Sequence, residues 1–384
     1  MMSTEPANQF LSSRPERLLS LDVLRGFDMF WIIGGKQILV AIAVVMPSQW
    51  IGRMLARMQH PEWHGFEPWD LIFPLFLFIA GVATPLSIQH RRRRGDSERK
   101  IYRHILLRGV LLVALGVVHN GLPADWTTAA GWQNHRYPSV LGRIGLAYLF
   151  AALIVMNTDL RGRLLWIFGL LVGYWAALRF IPVPEFGAGD FTAGHTLTDY
   201  LDRLLVPGAL YQGNRDPEGL GGAIPAIATA LLGAITGQML MRSDRSGVEK
   251  TLRMFLGGLF CLGLGWAWDQ ESILQFPINK NLWSSSFVLY CAGWSLELLA
   301  VFYLVIDVWK WRWGSTFFIV IGANSIFIYM APKFIDFYYT ANHILAGPSS
   351  LVPQFSGLIL VLGVFAIKWS LLYLMYQKKI FLKI

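Results

Sequence analysis

From Leu71 to Ile88 the chain runs for 18 residues without one charged side chain. That is close to the roughly 20 residues an α-helix needs to cross a hydrocarbon core of about 30 Å. Ten candidate spans of this kind are centred on residues 22–46, 71–88, 103–119, 139–156, 163–181, 222–241, 252–268, 283–306, 315–331 and 356–376. Within lipid a span must satisfy its backbone hydrogen bonds internally, which selects helices. With 54% hydrophobic and only 15% charged residues, the chain reads as an all-α polytopic membrane protein. Residues 1–384 are expected to form a single transmembrane domain, one helical bundle, with residues 1–16 a flexible cytoplasmic N-terminus. Residues 1–19 lack an apolar core followed by a small-residue cleavage site, so the first span is expected to act as an uncleaved signal.

Ten crossings put both termini on one side, and the basic residues indicate which. The N-terminus and the loops after even-numbered spans hold 20 Lys and Arg residues, among them Arg91–Arg94, against 7 in the opposite loops. The positive-inside rule then makes the termini cytoplasmic, as in a bacterial-type inner membrane, and turns His60 outward. The net charge of +9 follows from this distribution. No basic segment is interleaved with aromatics as in a nucleic-acid module, so nucleic acid is not an expected partner. The Arg91–Arg94 run reads first as a stop-transfer cluster against anionic headgroups, and second as a dock for a phosphate-rich cofactor. Cys261 and Cys291 sit inside apolar runs and are expected as buried thiols.

Immediately before the 71–88 run the sequence is H-P-E-W-H-G-F-E-P-W-D, residues 60–70. Trp63 and Trp69 suit a membrane-interface belt, but His60, Glu62, His64 and Asp70 are more titratable groups than anchoring requires. His60 and His64, four apart, raise the question of a metal. Pro61 occupies the place where the zinc-protease pattern H-E-x-x-H has its glutamate, and two histidines fall short of the usual ligand set, so no metal is expected.

Charges inside spans are costly and usually functional. Asp22, Arg25, Asp28 and Lys36 lie in or beside the first span, and Arg108 and Arg143 in the third and fourth. Asp22 and Arg25 can pair on one helix face. The cations Arg25, Arg108, Arg143 and Lys36 are candidates to hold a phosphate-bearing cofactor. Gly233 and Gly237 form a G-x-x-x-G that reads as a packing notch. Two outward segments are rich in polar groups. N-R-D-P-E-G-L-G-G (214–222) carries Asp216 and Glu218 at a helix start, and I-N-K-N-L-W-S-S-S (278–286) carries Asn279, Lys280 and Asn281. Either serves as capping and anchoring, or as a site for sugar hydroxyls or a carbonyl.

Six motifs occur in order: R-x-x-S-x-D-x-x-R-G (17–26), H-x-x-W-x-G-x-x-x-x-D-L-x-F-P-x-F-x-F-I-x-G (60–81), L-x-R-x-G (141–145), D-P-E-G-x-x-G (216–222), I-N-K-N-L-W-S (278–284) and N-S-I-x-x-Y (324–329). Together they resemble the membrane part of the heparan-α-glucosaminide N-acetyltransferase family and its bacterial relatives. The resemblance implies a transmembrane acyltransferase that moves an acetyl group from cytoplasmic acetyl-CoA to the amine of a glucosamine residue across the membrane. It implies His60 as the catalytic histidine. The chain departs from the family pattern in the 23 residues between Lys36 and His60, in lacking an asparagine among Trp31, Ile32 and Ile33, and in having His64 where the family has asparagine. No counterpart of the large lumenal domain that precedes the membrane part in the human member is expected. The acceptor is therefore expected to be a cell-envelope amino sugar.

The chemistry of the residues agrees with acyl transfer. An amine must lose a proton as it attacks a thioester, and an imidazole is suited to take it; His60 can equally form an acyl-imidazole first. Asp70 or Glu62 would orient the ring, and Asn279, Lys280 or Asn281 would face the oxyanion. Trp63, His64, Asp216 and Glu218 complete the expected acceptor site. The pantetheine arm, about 15–18 Å at 3.3–3.6 Å per extended unit, is shorter than the ~30 Å core. Either the outer site is a deep funnel or the nucleotide sinks toward the buried arginines. The lipid bilayer, acetyl-CoA and the amino sugar are the expected partners, with a homodimer as a further expectation. The alternatives are a lipid or sugar-lipid transporter, for which no internal repeat is found, and a sugar O-acyltransferase.

Overall fold

The computed structural model describes residues 18–122, 125–270 and 272–382; the expected flexible segment 1–16 lies outside them. In chain order the helices, apart from one short turn at Ala129–Gln133, are α1 (Leu19–Val45), α2 (Gln49–Ala56), α3 (Pro68–Arg93), α4 (Glu98–His119), α5 (Val140–Asn157), α6 (Leu160–Phe180), α7 (Leu197–Leu205), α8 (Ala223–Leu240), α9 (Gly247–Gln270), α10 (Ser285–Val308), α11 (Ser315–Ala323), α12 (Ser325–Lys333), α13 (Phe337–Ser350) and α14 (Pro353–Gln377). No strand occurs among the described residues, only two isolated bridge pairs. Nine of these helices are long and apolar enough to cross a membrane, and α11 with α12 raises the number to ten if the pair is one crossing. The protein is an all-α, polytopic, integral membrane protein.

The span expected at 315–331 is not one straight helix. It breaks at Asn324, where α11 and α12 meet at 71°. The buried Asn324 side chain donates to the Ile380 carbonyl at 3.0 Å and accepts from the Leu382 N–H at 2.9 Å.

Local sequence starts the helices. Ser97, Ser139, Asp159, Thr196 and Ser284 each accept a backbone N–H from the first turn of α4, α5, α6, α7 and α10. Pro68 opens α3, where its missing N–H costs nothing, inside a capping box of Glu67 and Asp70.

Burial separates inner helices from lipid-facing ones. The apolar windows of α3 and α8 are 61% and 67% buried, that of α14 only 11%, so α3 and α8 form the inner pair. They cross at glycine. A Cβ on Gly81 would strike the Ala230 carbonyl, and one on Gly233 or Gly237 the carbonyls of Phe78 or Val82. The G-x-x-x-G is thus a packing notch, and backbones in such close approach gain dispersion contacts over the whole crossing.

The loops entering α3, α5, α8 and α10 gather at one end of this bundle. Gly65 N–H donates to the Ile278 carbonyl at 2.8 Å, Trp63 Nε1 to the Phe191 carbonyl at 2.7 Å, and Ala209 N–H to the His135 carbonyl at 3.0 Å. The Arg91–Arg94 cluster closes α3 at its other end.

Candidate active site

His60 lies on the loop before α3, and the start of that helix supplies its partner. The capping box aims Asp70 inward: its Oδ2 accepts the Glu67 N–H at 3.0 Å, and the carboxylate is wholly buried. Its other oxygen, Oδ1, lies 2.5 Å from His60 Nδ1. The imidazole, about half exposed, therefore donates from Nδ1 and keeps its lone pair on Nε2. Lys280 Nζ stands 3.5 Å from Asp70 Oδ1 and 3.3 and 3.2 Å from the two ring nitrogens of His60. Burial pushes the Lys280 ammonium below its ordinary value, against the pull of Asp70 and then Glu218.

His60 and Lys280 line a cavity of about 210 Å³ whose remaining wall includes Trp69, Phe73, Ile144 and Tyr329. It is an apolar chamber with an imidazole, a lysine amine and a phenol on its wall. The Tyr329 ring stacks on His119 at 4.6 Å.

The second polar loop is built around Asn279. Its Oδ1 accepts the Leu282 N–H at 3.0 Å, its own N–H donates to Ser284 Oγ at 3.0 Å, and its Nδ2 lies 3.2 Å from His64 Nδ1. Asn279 is fully buried, so it shapes the turn that presents Lys280. Burial lowers the His64 imidazole from its ordinary value, with Asp269 opposing. Asn281 is half-buried beside Lys280. Glu62 is exposed and is brought to no partner among the described residues; Asp70 alone of the two carboxylates meets the ring.

Asp216 and Glu218 are engaged elsewhere. Arg136 donates from Nε and Nη2 to Asp216 at 2.8 and 2.7 Å and also bonds Glu218, while its guanidinium covers the Tyr211 ring. Trp63 is held at Phe191 and lies under Arg215, 4.2 Å from ring centre to guanidinium carbon.

The four cations singled out for a nucleotide are dispersed. Arg25 pairs with Asp22 at 3.5 Å near the start of α1. Arg108 lies over the Tyr148 ring, with a buried Nε that has no hydrogen-bond partner. Arg143 is buried at the start of α5, donating to the Gly219 carbonyl at 3.2 Å and lying over the Trp283 ring. Lys36 belongs to the His60 end, donating to the Met58 carbonyl at 2.7 Å and capping the Trp69 ring at 4.6 Å.

Several supporting residues were not singled out by sequence. Glu67 completes the capping box, Arg136 clamps the 216–218 turn, and Asp202 of α7 accepts the Leu220 N–H at 2.8 Å. Asp269, at the end of α9, accepts the Ile278 N–H at 2.6 Å and so fixes the Lys280 loop. The signal for Asp269 is a carboxylate placed where an apolar run ends. Among the described residues no group of three or more His, Cys, Asp or Glu is disposed to hold a metal ion.

No protein-family model matches the chain. Individual proteins do. The chain is similar to human heparan-alpha-glucosaminide N-acetyltransferase, 29% identical over 430 aligned positions that cover 99% of this chain and 62% of the relative. The mouse protein of the same name is 28% identical over 425 positions, covering 97% of this chain and 61% of the relative. The chain thus spans less than two thirds of the length of the relatives it matches.

Proposed function

We propose that this chain, related over nearly its whole length to the heparan-α-glucosaminide N-acetyltransferases, is a membrane-embedded acetyl-CoA-dependent N-acetyltransferase acting on the amine of a glucosamine-type sugar. The observation that carries the reading is the pairing of His60, which lines an apolar cavity, with the buried Asp70 carboxylate, 2.5 Å from its Nδ1. This pairing orients the ring and leaves Nε2 to work as a base.

In the proposed reaction the acceptor nitrogen attacks the thioester carbonyl and its proton passes to Nε2 of His60. Charge that gathers on the carbonyl oxygen is met by the Lys280 ammonium. The carbon–sulfur bond then breaks, the new amide stays on the sugar, and the imidazolium returns its proton to the leaving thiolate. Asp70 stabilises the imidazolium meanwhile. A cavity of about 210 Å³ is smaller than those that enclose whole drug-sized ligands, so it suits only the acetyl-thioester end of the donor. Arg108, with its unpartnered Nε, is the residue we assign to the donor's phosphates at depth. The cytoplasmic termini, the outward-facing His60 and the one membrane domain over 1–384 belong to the same proposal. They rest on the loop charges.

The test incubates the purified protein with acetyl-labelled acetyl-CoA and a panel of amino sugars. Label on the amine is the expected result. Label on a hydroxyl would make the protein an O-acyltransferase, and no transfer would favour transport. Label retained on protein in the absence of acceptor would replace the base role of His60 with that of acyl carrier.

A further inference from the structure

A second cavity of about 330 Å³ adjoins the first at Trp69. Trp69 and Ile72 line both chambers, and the neighbouring residues Met29 and Asp28 of α1 face one each. The walls of the second chamber include Phe27, Trp31, Phe66, Trp69 and Trp294, and Asp28 is its one charged side chain among the described residues. Asp28 is only 1% exposed, and its Oδ2 has no hydrogen-bond partner.

A carboxylate in an apolar wall is costly to keep charged, and the cost is relieved by a proton or by a cation. Among the described residues no Lys or Arg lines the chamber. Of the two nearest on α1, Arg25 is paired with Asp22, and Lys36 is held at Met58 and Trp69. Phe27, Trp31, Phe66, Trp69 and Trp294 line the same chamber as the carboxylate, and aromatic rings with a carboxylate are the chemistry that receives an organic ammonium. Simple burial of a neutral acid requires no such cage.

We propose that this chamber is a binding site for an organic ammonium group, with Asp28 as its counter-ion and the surrounding indole and phenyl rings as its cage. Two sources share that chemistry: the unacetylated amine of a soluble amino sugar, and the headgroup of an aminophospholipid. The assignment goes beyond acetyl transfer and does not need it, because binding is read without acetyl-CoA.

The experiment uses full-length protein in nanodiscs of phosphatidylglycerol, which has no amine. Tetramethylammonium and glucosamine are titrated calorimetrically against wild type, Asp28→Asn and Trp294→Leu, with N-acetylglucosamine as the uncharged control. Wild type is expected to bind both cations in competition and not the acetylated sugar at the same site. Asp28→Asn should weaken both at least tenfold. Trp294→Leu, at the more exposed rim, should weaken tetramethylammonium several-fold, which decides the matter if Asp28→Asn does not fold. Doping the discs with phosphatidylethanolamine assigns the source: displaced glucosamine points to the lipid headgroup, undisturbed binding to the soluble amine. Absence of cation binding to wild type, or equal affinities in wild type and both variants, would overturn the proposal and leave Asp28 a protonated packing residue. A protein that binds cations through Asp28 yet transfers no acetyl group would keep this site and remove the proposed function.

Discussion

His60 Nδ1 and Asp70 Oδ1 lie 2.5 Å apart across ten residues of chain, one on a loop and half exposed, the other wholly buried at a helix start. The rigid partner is the carboxylate, held by the α3 capping box. Asp70→Asn keeps the shape but presents an amide N–H to Nδ1, which favours the tautomer with its proton on Nε2. Turnover should fall about 10²–10⁴-fold, the range for a lost or misdirected base. His60→Ala should fall to background, with acetyl-CoA binding unchanged in both by calorimetry. Turnover within a few-fold of wild type in Asp70→Asn would sink the orienting role.

His64 meets Asn279 and the Trp63 ring and lies outside the cavity wall. His64→Asn should therefore keep substantial activity, and metal chelators should leave wild type unaffected. If the variant is as inactive as His60→Ala, the proton path includes both rings.

Asp202 is buried in α7, and desolvation pushes its carboxyl up to about 6 despite the N–H bonds from Gly221 and Leu220. Because the folded-state value exceeds the unfolded one, its stabilising contribution is complete below about pH 4 and is lost as pH climbs through 6. The size is on the order of 2–3 kcal/mol for a shift of about two units. Thermal unfolding of wild type minus that of Asp202→Asn, measured between pH 4 and 7, should show this decline. A flat difference would mean the carboxyl titrates normally.

In the proposed orientation, argued from the loop charges, Ser349 and Arg94 lie on opposite membrane sides. An alkaline phosphatase fusion after Ser349 should be active outside the cytoplasm, and one after Arg94 silent. The opposite result would carry His60 to the cytoplasm.

The sequence was most legible where lipid constrains it. Residues 71–88 read as a span because 18 uncharged positions have few other uses, and α3 covers them; Gly233 and Gly237 read as a notch and are one. His60 was legible as a titratable residue beside that span, with Asp70 or Glu62 as its partner, and the fold brings Asp70 to the ring. What failed to show was long-range pairing. Nothing local marks Arg136 as the clamp on Asp216, since the two are 80 residues apart and each looks like an ordinary loop charge. The break at Asn324 was hidden for the converse reason: 315–331 is apolar throughout its first half, and hydropathy is blind to a change of direction.

That break has a mechanical consequence. Both functions of the Asn324 amide are taken up by Ile380 and Leu382, beyond the end of α14, so the tail acts as a keystone for the elbow between α11 and α12. Five residues past the elbow, Tyr329 forms part of the His60 chamber. A cut after Gln377 removes no residue of that chamber, yet it leaves a buried amide with neither partner, at a cost of about 1–3 kcal/mol for each group left unmade. The truncated protein should bind acetyl-CoA or acceptor more weakly, read as a raised KM, while unchanged constants would free the elbow from its tail. In this protein the segment after α14 braces the elbow that leads to Tyr329 in the wall of the His60 chamber.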